Sequence, residues 1–302
     1  MRILGIQPGT VQPGMDDYFE RQLALAEQAY KGQELIMFPE LMTGIYFGYV
    51  REKRWFEKAE RFIDGPTTKR MLELSKKLGT HICYSLFEKA PDGFYNTMGL
   101  VSPIRGVIGK YRKIHIPGGD LRYNECYEKY YFKSGDLMPV FELDNGIKMA
   151  MMLCYDRSFP EQWRAYYLKG AQIVCVATCT MGLRADMFTA ELQTRALESH
   201  TYVIALNRAG EEKTENEEKP RVHFGKSLVA DPMGNIVTQL ADEQWAVLEA
   251  EIDTEKIRYA RGRLNWERDR HPELYGILDD TDYAVKGMIY ERGYDDKDLG
   301  DE

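Results

Sequence analysis

Met151-Met152-Leu153-Cys154-Tyr155-Asp156-Arg157-Ser158-Phe159-Pro160-Glu161 is the stretch on which the reading of this chain turns. An apolar, β-like run stops at a thiol, a polar turn follows, and a helix is expected over 159–169, ending at Gly170. A strand that passes through a turn straight into a helix can hold a nucleophile. The strand fixes the thiol, the turn exposes it, and a helix N-terminus favours the thiolate. The alternative for a cysteine at a strand end is a small, inert core residue. Two upstream segments bear on the choice. Leu35-Ile36-Met37-Phe38-Pro39-Glu40 and Tyr111-Arg112-Lys113-Ile114-His115 each put one ionisable residue at the end of an apolar or β-like run.

The order Phe38-Pro39-Glu40, Tyr111-Arg112-Lys113-Ile114-His115, Cys154-Tyr155-Asp156-Arg157 resembles the nitrilase superfamily of carbon–nitrogen hydrolases. Glu40, Lys113 and Cys154 fall where that family keeps its Glu-Lys-Cys triad, and Glu128, in Tyr127-Glu128-Lys129-Tyr130, resembles its second glutamate. The likeness runs from about Met1 to about Leu278 and takes in Gln193-Thr194-Arg195-Ala196-Leu197-Glu198 and Val203-Ile204-Ala205-Leu206-Asn207-Arg208. It implies an α/β fold, a four-layer α-β-β-α sandwich, paired as a homodimer or higher homo-oligomer across one helical face.

The residues suit amide hydrolysis on their own chemistry. Cys154 attacks the carbonyl carbon to give a thioester. Glu40 takes the thiol proton, passes it to the leaving ammonia or amine, and later activates water. Lys113 and the Tyr155 backbone N–H stabilise the oxyanion. Taken singly, Glu40 also reads as a capping residue, Lys113 as a surface lysine, and Glu128 as one half of a surface salt bridge. His115 lies two past Lys113 and reads as a satisfied structural histidine or as a substrate neighbour.

Arg157, three residues past the thiol, offers a guanidinium that matches a carboxylate in bidentate geometry. Its context resembles the branch of the family acting on N-carbamoyl amino acids, as does Gly109-Lys110-Tyr111-Arg112-Lys113-Ile114-His115. The chain departs from the D-carbamoylase pattern at Ser158 and Cys126, where arginine and histidine are expected. The implied reaction converts an N-carbamoyl amino acid to amino acid, CO2 and ammonia. A simple carboxamide, a ω-amide, a nitrile, acyl transfer to an amine, and a non-catalytic binding role are the rivals. For Arg157 the rival is an internal pair with Asp156 or Glu161.

Bulk properties narrow the classes. At 302 residues with 44% hydrophobic and 29% charged residues, the chain reads as one soluble globular domain over 1–278. Residues 279–302 turn acidic and read as a tail, extended or packed on a partner subunit. A net charge of −8 provides no basic surplus for nucleic acid. No run approaches the roughly 18 apolar residues of a membrane span, and 1–7 looks like a strand rather than a leader. Five scattered cysteines give no disulfide framework, so a reducing cytoplasm is expected. Cys175 and Cys179 stand four apart without a paired-histidine motif, and no glycine-rich phosphate loop occurs. Neither a metal nor a nucleotide cofactor is expected, so a small molecule and water are the partners.

Period and punctuation place the elements. Helices are expected over 16–30, 66–78 and 186–199, and strands over 2–7, 34–38, 106–113, 173–177, 201–207 and 245–251. Hairpins are expected at Asp92-Gly93 and Asp144-Asn145-Gly146. The polar run 211–219 is expected to be a solvated loop.

Overall fold

The computed structural model describes residues 1–12, 15–118, 126–215, 217 and 219–279. The chain opens with β1 (Arg2–Gln7), crosses through α1 (Tyr18–Ala29) to β2 (Leu35–Met37), and through α2 (Pro66–Leu78) to β3 (His81–Ala90). Pro at the first position of α2 and Gly79 past its end, at φ +68°, fix that helix as its sequence implies. β3 turns back through Asp92-Gly93 into β4 (Gly93–Ser102) and β5 (Gly106–Arg112). β1, β2 and β3 pair in parallel, and β4 and β5 extend the sheet antiparallel.

The second half repeats that plan. After a one-turn α3 (Glu128–Tyr131) and an edge strand β6 (Val140–Glu142), β7 (Lys148–Leu153) leads into α4 (Pro160–Leu168) and β8 (Ile173–Ala177). α5 (Phe188–Ser199) and β9 (Tyr202–Leu206) follow. β7, β8 and β9 pair in parallel. A small hairpin, β10 (Ala209–Glu212) with β11 (Arg221–Phe224), precedes β12 (Leu228–Ala230) and β13 (Ile236–Gln239), which extend the sheet antiparallel. β14 (Ala246–Glu251) then returns to pair with β1, and α6 (Thr254–Arg263) ends the domain. The sheets run β14-β1-β2-β3-β4-β5 and β13-β12-β9-β8-β7-β6.

Alternation along each strand sorts side chains into layers. Met149, Met151 and Leu153 of β7 face a core shared with Leu35 and Met37 of β2 and Met98 and Leu100 of β4. Ala150 and Met152 face the other way, onto Trp163 and Tyr166 of α4 and Leu192 and Ala196 of α5. Leu4 and Ile36 likewise pack under Leu23 of α1 and Met71 and Leu74 of α2. The result is helix, sheet, sheet, helix: the expected four-layer sandwich. The sheets approach closely at Gly5, where an added Cβ would lie 2.6 Å from Leu206 Cδ2. Among the described residues no helix is long and apolar enough to cross a membrane.

The structure adds one element, alters one expectation and leaves the acidic tail, but for one residue, outside the described residues. α6 carries no apolar period and was not expected. The run 211–219 is not simply a solvated loop: Glu211 and Glu212 belong to β10, and Glu212 is buried. Of the acidic tail only Asp279 lies among the described residues.

Candidate active site

The carboxyl ends of the parallel strands from both sheets converge, which is where α/β sheets place their ligands. Glu40 stands just past β2, Lys113 just past β5, and Cys154 just past β7. Glu40 and Lys113 are fully buried, and Cys154 is partly exposed.

Lys113 Nζ lies between two carboxylates. It donates to Glu128 Oε2 at 2.7 Å and to Glu40 Oε1 at 3.1 Å, leaving one of its three N–H groups uncommitted. Glu40 Oε1 also accepts from Asn96 Nδ2 at 2.7 Å, and Oε2 from the Cys179 backbone N–H at 2.8 Å. Glu128 Oε1 accepts from the Tyr46 hydroxyl. Burial alone would lower the Lys113 pKa, but Glu128 and Glu40 outweigh it and hold the ammonium charged well above the usual range. Burial pushes the Glu128 carboxyl up, with Lys113 pulling against it. Unpaired, such charges would be costly; arranged this way, each supports the next.

Cys154 adopts φ +42°, uncommon for a residue with a side chain, at the start of a five-residue 3-10 turn. Asp156 holds that turn. Its Oδ2 accepts from the Leu153 N–H at 3.0 Å and the Tyr111 hydroxyl at 2.6 Å. Its Oδ1 accepts from the His115 N–H at 2.9 Å and faces His115 Nδ1 at 2.8 Å. Tyr111 and His115 flank Lys113, so one buried carboxylate ties the lysine segment to the thiol turn. His115 also stacks on Phe159 at 3.6 Å, which places it as a structural partner of Asp156. The Tyr155 side chain is half exposed and packs edge-on against Phe159.

The thiol's surroundings correct the expectation of a thiolate. α4 starts only at Pro160, beyond the 3-10 turn, so no helix N-terminus reaches Cys154. Burial, and then Glu40, push its pKa up against the pull of Arg157 and Lys113. Cys154 Sγ lies 3.2 Å from Thr180 Oγ1. Thr180 is in turn fixed by Asn207, which accepts from its N–H at 2.9 Å and donates to its carbonyl at 3.0 Å. Since Glu40, after burial, raises the thiol's pKa, Glu40→Gln is expected to lower it. Iodoacetamide should then alkylate Cys154 faster near neutral pH, while amide turnover is lost. Slower alkylation would show that proton transfer to Glu40, not its field, governs the thiol.

Arg157 also departs from its expected role. Its side chain is 2% exposed, and Nε donates to Glu191 Oε2 at 3.1 Å. Nη1 donates to the Cys154 carbonyl at 2.7 Å and approaches Sγ at 3.5 Å. The guanidinium is turned inward to brace the thiol turn, and its partner is Glu191 rather than Asp156 or Glu161. Arg157→Ala is therefore expected to lower kcat/KM by about ten- to a hundredfold on acidic and neutral substrates alike. A loss confined to acids would restore the carboxylate role.

Sequence reasoning passed over Tyr46, Asn96, Asp156, Cys179, Thr180 and Glu191. Apart from Asp156, which also caps its own turn at Leu153, each acts through a partner distant in sequence or through its backbone, so no local pattern marks it.

The site is a buried Glu-Lys pair beside the thiol of a residue at φ +42°, and the family follows from the sequence: residues 5–261 match the family model for carbon-nitrogen hydrolase. The chain belongs to the carbon–nitrogen hydrolase family. This hydrolase is 33% identical over 269 residues to an N-carbamoylputrescine amidase of Solanum tuberosum, covering 86% of this chain and 87% of that one. It is 33% identical over 273 residues to a nitrilase of Pyrococcus abyssi, covering 89% and 96%. A carbon–nitrogen hydrolase structure from Helicobacter pylori G27 superposes with a TM-score of 0.85 at 25% identity, covering 93% of this chain and 99% of that one.

Proposed function

We propose that this hydrolase acts on an N-carbamoyl compound, R–NH–CO–NH2, through a covalent intermediate on Cys154. The observation that carries the mechanism is the Lys113 ammonium held at 2.7 and 3.1 Å from two buried carboxylates beside the thiol. Sγ adds to the carbonyl carbon as Glu40 takes its proton. The free N–H of Lys113 and the Tyr155 backbone N–H receive the charge that develops on oxygen. Ammonia leaves with the proton from Glu40, giving R–NH–CO–S–Cys154. Water, deprotonated by Glu40, adds to that carbon and expels the thiolate, which recovers the proton. The released carbamic acid falls apart to R–NH2 and CO2.

The carbamoyl group is supported by the likeness to N-carbamoylputrescine amidase. With Arg157 turned inward, the amino-acid form of the substrate loses the residue on which it rested, so R is tested as both acid and amine. N-carbamoyl amino acids, N-carbamoyl alkylamines, ω-amides, simple carboxamides and nitriles are incubated with the enzyme, and ammonia and CO2 are both measured. Release of the two in equal amounts from the carbamoyl compounds is the expected result. Ammonia without CO2, from amides alone, would make the enzyme an aliphatic amidase instead.

A further inference from the structure

Behind the site lies a buried ion pair that the chemistry above does not use. Arg208, two past the end of β9, and Glu212, the last residue of β10, are both buried. Arg208 Nη1 donates to Glu212 Oε1 at 3.0 Å and to the Gly44 carbonyl at 3.1 Å. Its Nη2 donates to the carbonyls of Glu40 and Leu41, each at 3.1 Å. Glu212 Oε2 accepts from the Tyr46 backbone N–H at 2.9 Å, and Oε1 from that of Val11 at 3.0 Å.

Apart from the Val11 N–H and the pair itself, these contacts all grip one segment, 40–46. Glu40 begins it and Tyr46 ends it, and the Tyr46 hydroxyl donates to Glu128. Leu41 in between sits at φ +46°, a left-handed conformation that a leucine keeps only when its surroundings enforce it. The Arg208 fork on the two flanking carbonyls, with Ser85 Oγ accepting from the Leu41 N–H at 3.0 Å, enforces it. One guanidinium–carboxylate pair therefore governs both carboxylates that flank Lys113: Glu40 through its own backbone, and Glu128 through Tyr46.

We propose that Arg208 and Glu212 are positioning residues for the reaction, setting the Glu40-Lys113-Glu128 array by holding segment 40–46. This rests on the assignment of Glu40 and Glu128 to the chemistry. The pair stays ionised across the working range, because Arg208 overcomes burial and holds the Glu212 carboxyl down at about 2.

Glu212→Asp keeps the charge but draws the carboxylate back by one methylene. Arg208→Lys keeps the charge but replaces a planar fork by a single point. On a substrate that the wild type turns over, each is expected to lower kcat about ten- to a hundredfold, the scale of a small misplacement of catalytic groups. KM should change by less than about threefold, because the pair does not touch substrate. The double variant should be no slower than the slower single, since the two act as one unit. Rates are expressed per folded molecule, with the folded fraction taken from thermal melts. Tyr46→Phe leaves the pair intact, removes only the hydroxyl on Glu128, and is expected to lower kcat without a matching rise in KM. It keeps the test open if the pair variants fold poorly. Wild-type kcat per folded molecule in Glu212→Asp and Arg208→Lys, or in Tyr46→Phe, would overturn the proposal. Cys154→Ala, run in parallel, separates the two levels: if it still turns over substrate, the catalytic assignment itself fails.

Discussion

Cys154→Ala is expected to remove turnover altogether while the protein stays folded. Of the described neighbours, neither Thr180 nor Cys179 is placed to carry the acyl group: Thr180 Oγ1 lies 3.2 Å from Sγ but is an un-ionised hydroxyl, and Cys179 Sγ is buried, donating to the Glu40 carbonyl. Alanine accepts φ +42° about as well as cysteine does, so the turn survives. Its remaining anchors, Asp156 on Leu153 and Arg157 on the residue-154 carbonyl, use backbone atoms that the substitution leaves in place. The loss of one partly exposed thiol contact costs about 1 kcal/mol or less. Cys154→Ser is also expected to be nearly inactive, because a hydroxyl ionises far less readily than a thiol whose pKa is itself already raised. Melting temperature and far-UV circular dichroism should match wild type in both. Retention of about a tenth of wild-type kcat in the alanine variant would rule out the thioester route.

Lys113→Met is expected to be nearly as damaging, and in two separable ways. The first is kinetic. The lysine's charge matters most as negative charge builds on the carbonyl oxygen, so kcat should fall about 10²–10³-fold with little change in KM. The second is structural. Without the ammonium, Glu40 and Glu128 share a buried site with no cation between them, and breaking such a pair costs about 3–5 kcal/mol. That cost has a defined pH dependence. Burial already holds the Glu128 carboxyl above its usual value, and losing Lys113 raises it further. A carboxyl whose folded pKa lies above its unfolded one favours the folded state at low pH and ceases to do so as pH rises through the folded value. The variant should therefore melt closest to wild type in mildly acidic buffer and fall further behind as pH rises. Normal kcat would remove Lys113 from the chemistry, and a pH-independent stability loss would remove it from the ion cluster.

What was legible in the sequence follows from physics that is local. Glu40 and Cys154 each end an apolar run that marks a buried strand, and Lys113 ends a β-like one, so each is assigned from that junction. Helix α2 was bounded by Pro66 and Gly79, which carry their conformational preference wherever they occur. The direction of the Arg157 side chain was not legible because it is set by Glu191, 34 residues further on in α5. Glu212 looked solvated because Glu211 and Lys213 beside it are, yet Arg208, four residues back and just before β10, pairs with this one carboxylate inside. α6 was passed over because only Ile257 and Ala260 of its residues are buried, too few to write a helical period, although Asp253 caps it through the Glu255 N–H.

The groups of the proposed mechanism are divided between two halves of the chain that share one plan. Glu40 and Lys113 belong to the sheet built from β1 to β5, whereas Cys154 belongs to the sheet that begins with β6. Neither sheet holds a nucleophile, a base and a cation together. The first sheet, moreover, receives its edge strand last, when β14 pairs with β1 and the Ile252 N–H reaches the Met1 carbonyl. On the proposed mechanism, neither half of the chain suffices alone: the first carries Glu40 and Lys113 but not Cys154, and its β1 edge is completed only by β14 from the far end of the domain. A fragment ending before β7 is therefore expected to lack turnover whatever its own fold, and activity requires the two sheets packed one upon the other.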